Sequence, residues 1–353
     1  MKAYVLHKIG DIRFQEVEMP KLPEDWVLVK VRAAGICGSD IPRIYQTGAH
    51  VHPLILGHEF SGEVVETGEK ADPYWKKKRV GIFPLIPCRA CSPCQKKQYE
   101  MCRNYNYLGS RCDGGFAEYA AVPQNSLIEL PDSVSFEEAA MLEPMSVAVH
   151  AMRRLVEPIE GSLTHKTICI CGLGTIGLFL FMFLKEQGCE NILAIGNKES
   201  QKKQIQNMGL PEQDFCDSRE KEITDWIMER TRGEGTELFF ECVGKNETVS
   251  AGIRAAATAG RIMLVGNPYS DMTLRKQDYW KILRNQLTIS GTWNSSFTQE
   301  KNDDWHYVLE RLRHGRISPK QFISHRFSLA ELEQGFHIMR DKTEDYLKIM
   351  AVL

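Results

Sequence analysis

Two groups of residues have the types and spacing of metal ligands. Cys88, Cys91, Cys94 and Cys102 follow one another at x2, x2 and x7. Four thiols at this spacing can wrap one tetrahedral ion, and since the protein fills every position the site is closed and structural. Pro, Ser, Arg and Lys lie between them, so they cannot all pack in a core. An iron–sulfur cluster is the rival occupant, because compact cysteine runs also hold clusters. The second group is dispersed: Cys37 in Gly35-Ile36-Cys37-Gly38-Ser39-Asp40, His58 and Glu59 in Gly57-His58-Glu59, and Glu143 before Pro144. A catalytic zinc needs about three protein ligands and one open position, and a thiolate, an imidazole and a carboxylate supply them. Each residue also has a plain structural explanation, and spacing alone cannot join residues so far apart. A third feature is Gly172-Leu173-Gly174-Thr175-Ile176-Gly177. It follows an apolar strand pattern and opens a helix-length apolar segment, the context in which such glycines bring backbone N–H groups against a pyrophosphate.

The elements that must position these residues fall into two styles. At 353 residues two domains are expected. Residues 1–130 read as short strands broken by Gly and Pro, with Val27 to Arg32, Glu63 to Glu66 and Val80 to Phe83 as examples. After about residue 140, strands at Thr167–Cys171, Asn191–Ile195, Glu237–Cys242, Arg261–Val265 and Leu287–Gly291 alternate with helical segments, which implies a parallel sheet covered on both faces. From about residue 300 the order is helix, strand, helix, strand. The formal charge of -2 gives no support to a nucleic-acid partner, and Lys76-Lys77-Lys78-Arg79 reads as a solvated turn leading into a strand. With no secretory or membrane-spanning pattern the chain is expected in the cytoplasm, where its eleven cysteines stay reduced and metal ligation is their first explanation.

These words in this order resemble the zinc-containing medium-chain dehydrogenase/reductase family, over nearly the whole chain. The resemblance implies an α/β protein with a GroES-like β-rich catalytic domain, residues 1–145 and 297–353 with a metal lobe at about 86–104, and a Rossmann doubly wound parallel sheet at 146–296. It implies two zinc ions per chain. The structural ion is held by Cys88, Cys91, Cys94 and Cys102. The catalytic ion is held by Cys37, His58 and a carboxylate from Glu59 or Glu143. Ser39 matches the hydroxyl that takes the substrate proton on its way out while hydride passes to nicotinamide. Some relatives continue that relay through a histidine; here Pro42 and Arg43 stand nearby with no histidine before His50, so proton exit is expected through water, a glutamate or the cofactor ribose. A homodimer or homotetramer is implied, with no nucleic-acid or membrane partner.

Further stretches resemble the polyol branch of the family: Ser39 to Tyr45, Gly48-Ala49-His50, Gly109-Ser110-Arg111, Asp113 to Tyr119 and Gly291 to Ser296. They imply a sugar alcohol or its phosphate, oxidised to a ketose (phosphate), with Ser39, Arg43, Arg111 and Trp293 as substrate residues. Two arginines suit a phosphate dianion, although surface ion pairs explain either one equally well. The cofactor is expected against Gly172, Gly174, Thr175, Ile176 and Gly177, with Val265 and Gly266 beyond a later strand. NAD-specific members place an acid at the end of the second strand. Here Gly196, Asn197 and Lys198 stand there, with Lys202 or Lys203 a turn later, which favours NADP(H); Glu199 swinging back, or Asn197 alone, would keep NAD. A zinc-free quinone or enoyl reductase would not need Cys37, His58 and a carboxylate. A metal-storage or crystallin-like relative is the non-enzymatic alternative.

Overall fold

A computed structural model of the protein describes residues 1–156 and 163–353. The chain divides into two units, Met1–Ser146 with Ser295–Leu353, and Val147–Asn294.

The first unit is built on strand Trp26–Gly35, whose apolar β-branched residues bury one face while Lys30 and Arg32 are only half-buried. It pairs antiparallel with Glu59–Thr67, with Tyr119–Pro123 and with the C-terminal strand Lys348–Val352. Glu59–Thr67 passes on to Arg79–Ile82 and Leu127–Glu129, and Lys348–Val352 to Ile323–Phe327, which completes a seven-stranded sheet. The end of the chain thus lies beside its first long strand. A smaller sheet joins Lys2–Lys8 to Asp11–Glu16 and Leu54–Ile55. Its Tyr4, Val5 and Leu6 enter one core with Val29, Val31, Phe60, Phe116 and Phe336. The run Lys76 to Arg79 is the expected turn into a strand, with Lys77 at φ 65°.

In the second unit all six strands are parallel, in the order Phe215–Asp217, Ile192–Gly196, Ile168–Cys171, Thr236–Glu241, Ala256–Leu264, Thr288–Gly291. The earliest strand in the chain is central and the order reverses there, the switch point at which a doubly wound sheet opens a crevice for a dinucleotide. The helices Thr175–Glu186 and Asn246–Ala255 bury apolar residues, among them Leu178 to Leu184 and Ile253. The strand Phe215–Asp217 is an addition to the sequence-based expectation; its three residues carry no periodic signal. Among the described residues no helix is long and apolar enough to cross a membrane.

Candidate active site

Register explains why Cys37 and His58 meet. Gly35, the last residue of its strand, pairs with Glu59, the first residue of the neighbouring antiparallel strand. Cys37 lies two residues beyond one strand end and His58 one residue before the other. The thiol, the imidazole and the Glu59 carboxylate each place a ligand atom within 4.8 Å of the others. Ligands about 2.0–2.3 Å from one zinc ion require such mutual distances.

The surroundings hold this set in place. Asp40, fully buried, accepts the Cys37 backbone N–H (3.0 Å) and stands 3.5 Å from His58 Nδ1. That ring nitrogen has no hydrogen-bond partner among the described residues. Burial opposes charge on both groups. Even so, Asp40 and the Cys37 thiol hold His58 well above its usual range, while His58, Arg43 and the Cys37 N–H keep Asp40 below its own. Ser39 Oγ donates to Cys37 Sγ at 3.3 Å and accepts from Arg43 at 2.9 Å. Glu59 is ion-paired with Lys348, equally buried, whose ammonium also donates to the Ile36 carbonyl (2.9 Å). Gly35 makes room for the pair, because a Cβ there would fall 2.6 Å from Glu59 Oε2 and 2.7 Å from Lys348 Cε.

Glu143 stands apart from the close triad. It lies buried in the first turn of helix Leu142–Val156 and accepts a hydrogen bond from Tyr107 Oη at 3.1 Å. Burial, reinforced by the nearby Glu59 charge, raises its carboxyl to about 7. The Tyr107 ring meets His58 edge-on at 5.8 Å. Asp40, Tyr107 and Lys348 were not singled out from sequence. Lys348 left one signal, a lone cation opening an apolar terminal strand, and Asp40 lies inside the Cys37 word.

Cys88, Cys91, Cys94 and Cys102 also converge, with Sγ atoms 3.5 Å (Cys91–Cys94) and 3.9 Å (Cys91–Cys102) apart and all four within 4.8 Å. These separations exceed a disulfide and match sulfurs at about 2.3 Å from a tetrahedral zinc, which lie about 3.8 Å apart. Backbone N–H groups of Arg103 and Cys94 pull the Cys91 thiol down to about 6, toward the thiolate a metal needs. Burial and neighbouring thiols push Cys94 up to about 12.

In the second unit, Gly172 leaves the central strand at φ 99°, a conformation open to glycine. Gly174 caps helix Thr175–Glu186, and Thr175 and Ile176 open it. A Cβ on Gly177 would lie 1.9 Å from the Gly172 carbonyl oxygen, whereas one on Gly174 would meet nothing within 4 Å. The loop is therefore closed toward its own backbone and open where a pyrophosphate would approach. Gly196 ends the second strand, and the Asn197 N–H donates to Gln201 Oε1 at 3.1 Å. Lys198 caps the following helix, and Lys202 pairs with exposed Glu212 at 3.1 Å. Val265 and Gly266 both donate backbone N–H groups to the Glu241 carbonyl (2.8 and 2.9 Å).

Of the remaining substrate candidates, Arg43 bridges Ser39 and Asp40 (3.3 Å to its Oδ1). Arg111 lies over the Tyr105 ring at 4.6 Å, its Nε buried without a hydrogen-bond partner among the described residues. Partial burial first, then the charges of Arg111 and Arg43, hold His50 below its usual range. Trp293 is exposed in the second unit.

Comparison with known proteins agrees with this geometry. Residues 23–132 match the alcohol dehydrogenase GroES-like domain and residues 175–313 the zinc-binding dehydrogenase family. The chain is 31% identical over 336 residues to galactitol 1-phosphate 5-dehydrogenase of Escherichia coli K12, covering 95% of each chain. A solved galactitol-1-phosphate dehydrogenase from Escherichia coli superimposes with a TM-score of 0.91 at 30% identity, covering 100% of both chains. Sorbitol dehydrogenase of Bacillus subtilis is 28% identical over 99% of this chain and 97% of its own. A zinc-binding dehydrogenase of Sinorhizobium meliloti 1021 bound to NADP superimposes with a TM-score of 0.89 at 26% identity, covering 100% of this chain and 99% of that one.

Proposed function

The chain belongs to the zinc-binding dehydrogenases, as a zinc-dependent alcohol/polyol dehydrogenase, and on that premise we propose that it oxidises a phosphorylated sugar alcohol such as galactitol 1-phosphate to the ketose phosphate, with NADP(H) as preferred cofactor and two zinc ions per chain. The observation that carries the reading is the convergence of Cys37, His58 and Glu59 on one point, with the Ser39 hydroxyl bonded to the Cys37 sulfur. Zinc held there supplies a Lewis acid to the substrate hydroxyl, and the nicotinamide supplies the hydride acceptor.

The chain's own residues do the rest. Asp40 fixes the loop that carries Cys37 and faces the His58 ring. Ser39 would accept the proton of the substrate hydroxyl as it passes its own on to water, a glutamate or the cofactor ribose. Lys348 neutralises Glu59 and Tyr107 holds Glu143, so the two carboxylates are restrained by different partners and can alternate as the third ligand. Of the two arginines expected to meet a phosphate dianion, Arg43 is shared between Ser39 and Asp40, while Arg111 has an Nε without a hydrogen-bond partner among the described residues. For the cofactor, Gly196 removes the acid that would repel a 2′-phosphate, and Asn197, Lys198 and Lys202 surround the strand end. The Lys202–Glu212 pair is largely exposed on the Glu212 side, and a surface pair of this kind contributes little, so a phosphate can compete for the lysine.

Metal analysis with steady-state kinetics on galactitol 1-phosphate, galactitol and sorbitol tests the reading. Two zinc ions and a clear advantage in kcat/KM for the phosphate ester are expected. Equal efficiency on free and phosphorylated polyols would remove the phosphate, and full activity without zinc would remove the mechanism. Efficiency with NADP is expected to exceed that with NAD, and Gly196→Asp to reverse the order; a wild-type preference for NAD would sink the cofactor reading.

A further inference from the structure

Arg43 stands one helical turn after Ser39, in the turn that follows Asp40–Pro42. One nitrogen, Nη1, is 2.9 Å from Ser39 Oγ and 3.3 Å from Asp40 Oδ1. Asp40 has no contact with solvent; its other oxygen takes the Cys37 N–H. The guanidinium is thus anchored on the carboxylate that organises the Cys37 loop, and only about a quarter of its side-chain surface is exposed, at 23%. A guanidinium has donors and no acceptor and does not give up its proton in proteins. Facing it, Ser39 Oγ can only accept. The single Ser39 proton is left to point away from Arg43, and it lies against Cys37 Sγ at 3.3 Å.

Arg111 differs in each respect. No carboxylate is paired with it among the described residues, its Nε is buried without a hydrogen-bond partner, and its plane is held by stacking on Tyr105. A cation oriented by an aromatic ring and short of an acceptor is suited to an incoming anion. A cation already shared between a hydroxyl and a buried carboxylate is not, because withdrawing it would leave the buried charge of Asp40 with only the Cys37 N–H and the His58 ring to balance it.

We propose that Arg43 is the positioning residue of the Ser39 hydroxyl, aiming it at the Cys37 side of the site, and that the phosphate of the substrate is held by Arg111 without Arg43. The proposal rests on the polyol dehydrogenase reading above. It divides the two arginines between the proton-handling end of the site and the anion-binding end.

The test compares Arg43→Ala, Arg43→Lys and Arg111→Met, each confirmed folded by thermal unfolding. Arg43→Lys keeps a cation on Asp40 and so guards against loss of the fold. Two quantities are read: kcat with galactitol and with galactitol 1-phosphate, and the Kd of galactitol 1-phosphate by calorimetry. Arg43→Ala is expected to lower kcat by about 100-fold with both substrates, and Arg43→Lys by less. The Kd of the ester should stay within about 3-fold in both, since one lost charged hydrogen bond to the phosphate would cost roughly 10- to 100-fold. Guanidinium ion at low millimolar concentration is expected to restore part of the kcat of Arg43→Ala, which a purely structural role would not produce. Arg111→Met is expected to weaken the ester by roughly 10- to 100-fold. Unchanged kcat with galactitol in the Arg43 variants, with the loss confined to the Kd of the ester, would overturn the inference and leave the polyol reading standing. A wild-type protein that oxidises no polyol at all would overturn both.

Discussion

Glu143 sits where a carboxylate should be comfortable, in the first turn of a helix, yet burial raises its carboxyl to about 7. A carboxyl raised above its unfolded value of about 4.3 holds a proton in the folded state that the unfolded chain has already lost. Its stabilising contribution is complete below the unfolded value and is lost as pH rises through about 7. The protein stripped of metal should therefore lose stability between pH 5 and 8 from this group. Glu143→Gln should lose less over the same interval, by on the order of 1–3 kcal/mol. Urea unfolding of both metal-stripped proteins at the two pH values measures this, and parallel losses would remove Glu143 as the cause. The residue itself was legible, as were Cys37, His58 and Glu59, because each stands in a short word with ligand chemistry. Its hydrogen-bond partner Tyr107 was not, nor was Lys348 beside Glu59: Tyr107 comes from a two-residue strand, and Lys348 becomes a neighbour of Glu59 only when the C-terminal strand pairs with Gly35. Contacts across 289 residues leave no local mark.

At the scale of elements, the thiol lobe and the two-stranded ribbon beside it form one mechanical piece. Leu85–Ile86 pairs with Asn106–Tyr107, and the four cysteines fall between the two strands. Tyr107, which holds Glu143, is thus tied to the closure of the lobe. Cys94→Ser should remove one zinc equivalent and lower Tm by roughly 5 °C or more, with activity falling through Tyr107 and Glu143 as the ribbon loosens. Metal content and calorimetry decide; an unchanged Tm with one zinc lost would show that the lobe adds nothing to the fold. The glycine loop makes a second element-scale prediction. Gly177→Ala places a methyl 1.9 Å from a carbonyl oxygen that cannot move without the strand behind it, so a stability loss of about 1–3 kcal/mol and weaker cofactor binding are expected; Gly174→Ala should keep the fold. Matching stability losses in the two variants would refute the distinction. The long strands were legible from alternation or apolar runs with Gly beyond them, and the glycine motif marked the first of the parallel set. The sheet order was not, because parallel strands joined by helices leave no trace of which neighbour each one takes.

The second unit ends in an uncovered edge. Thr288–Gly291 pairs on one side with Ala256–Leu264 and is the last strand of its sheet. Thr288, Ile289 and Gly291 are exposed, and apart from the Gly291 carbonyl, which accepts from Arg154 Nε at 3.1 Å, the backbone groups on the outer side of this strand are offered for pairing. Apolar side chains gather in the same stretch of chain. Among the described residues, eight of the fifteen exposed large hydrophobics lie between Tyr269 and Trp293, including Trp280 and Leu283 of helix Lys276–Asn285. Soluble chains seldom leave such a concentration open unless something covers it. A second copy of the chain satisfies both features at once, because an edge strand meeting its own symmetry mate continues the sheet and brings the same apolar residues together from both sides. We therefore expect a homodimer, or a tetramer built from such dimers. Sedimentation equilibrium at micromolar concentration should give at least twice the mass of one chain. Leu283→Glu combined with Ile289→Lys should shift the protein toward the single-chain mass, since each buries a charge in the proposed contact. The double variant should keep its zinc, because the metal ligands all lie in the other unit. A wild-type protein that sediments as one chain would refute the assembly, and a double variant that stays assembled would place the contact elsewhere on the surface.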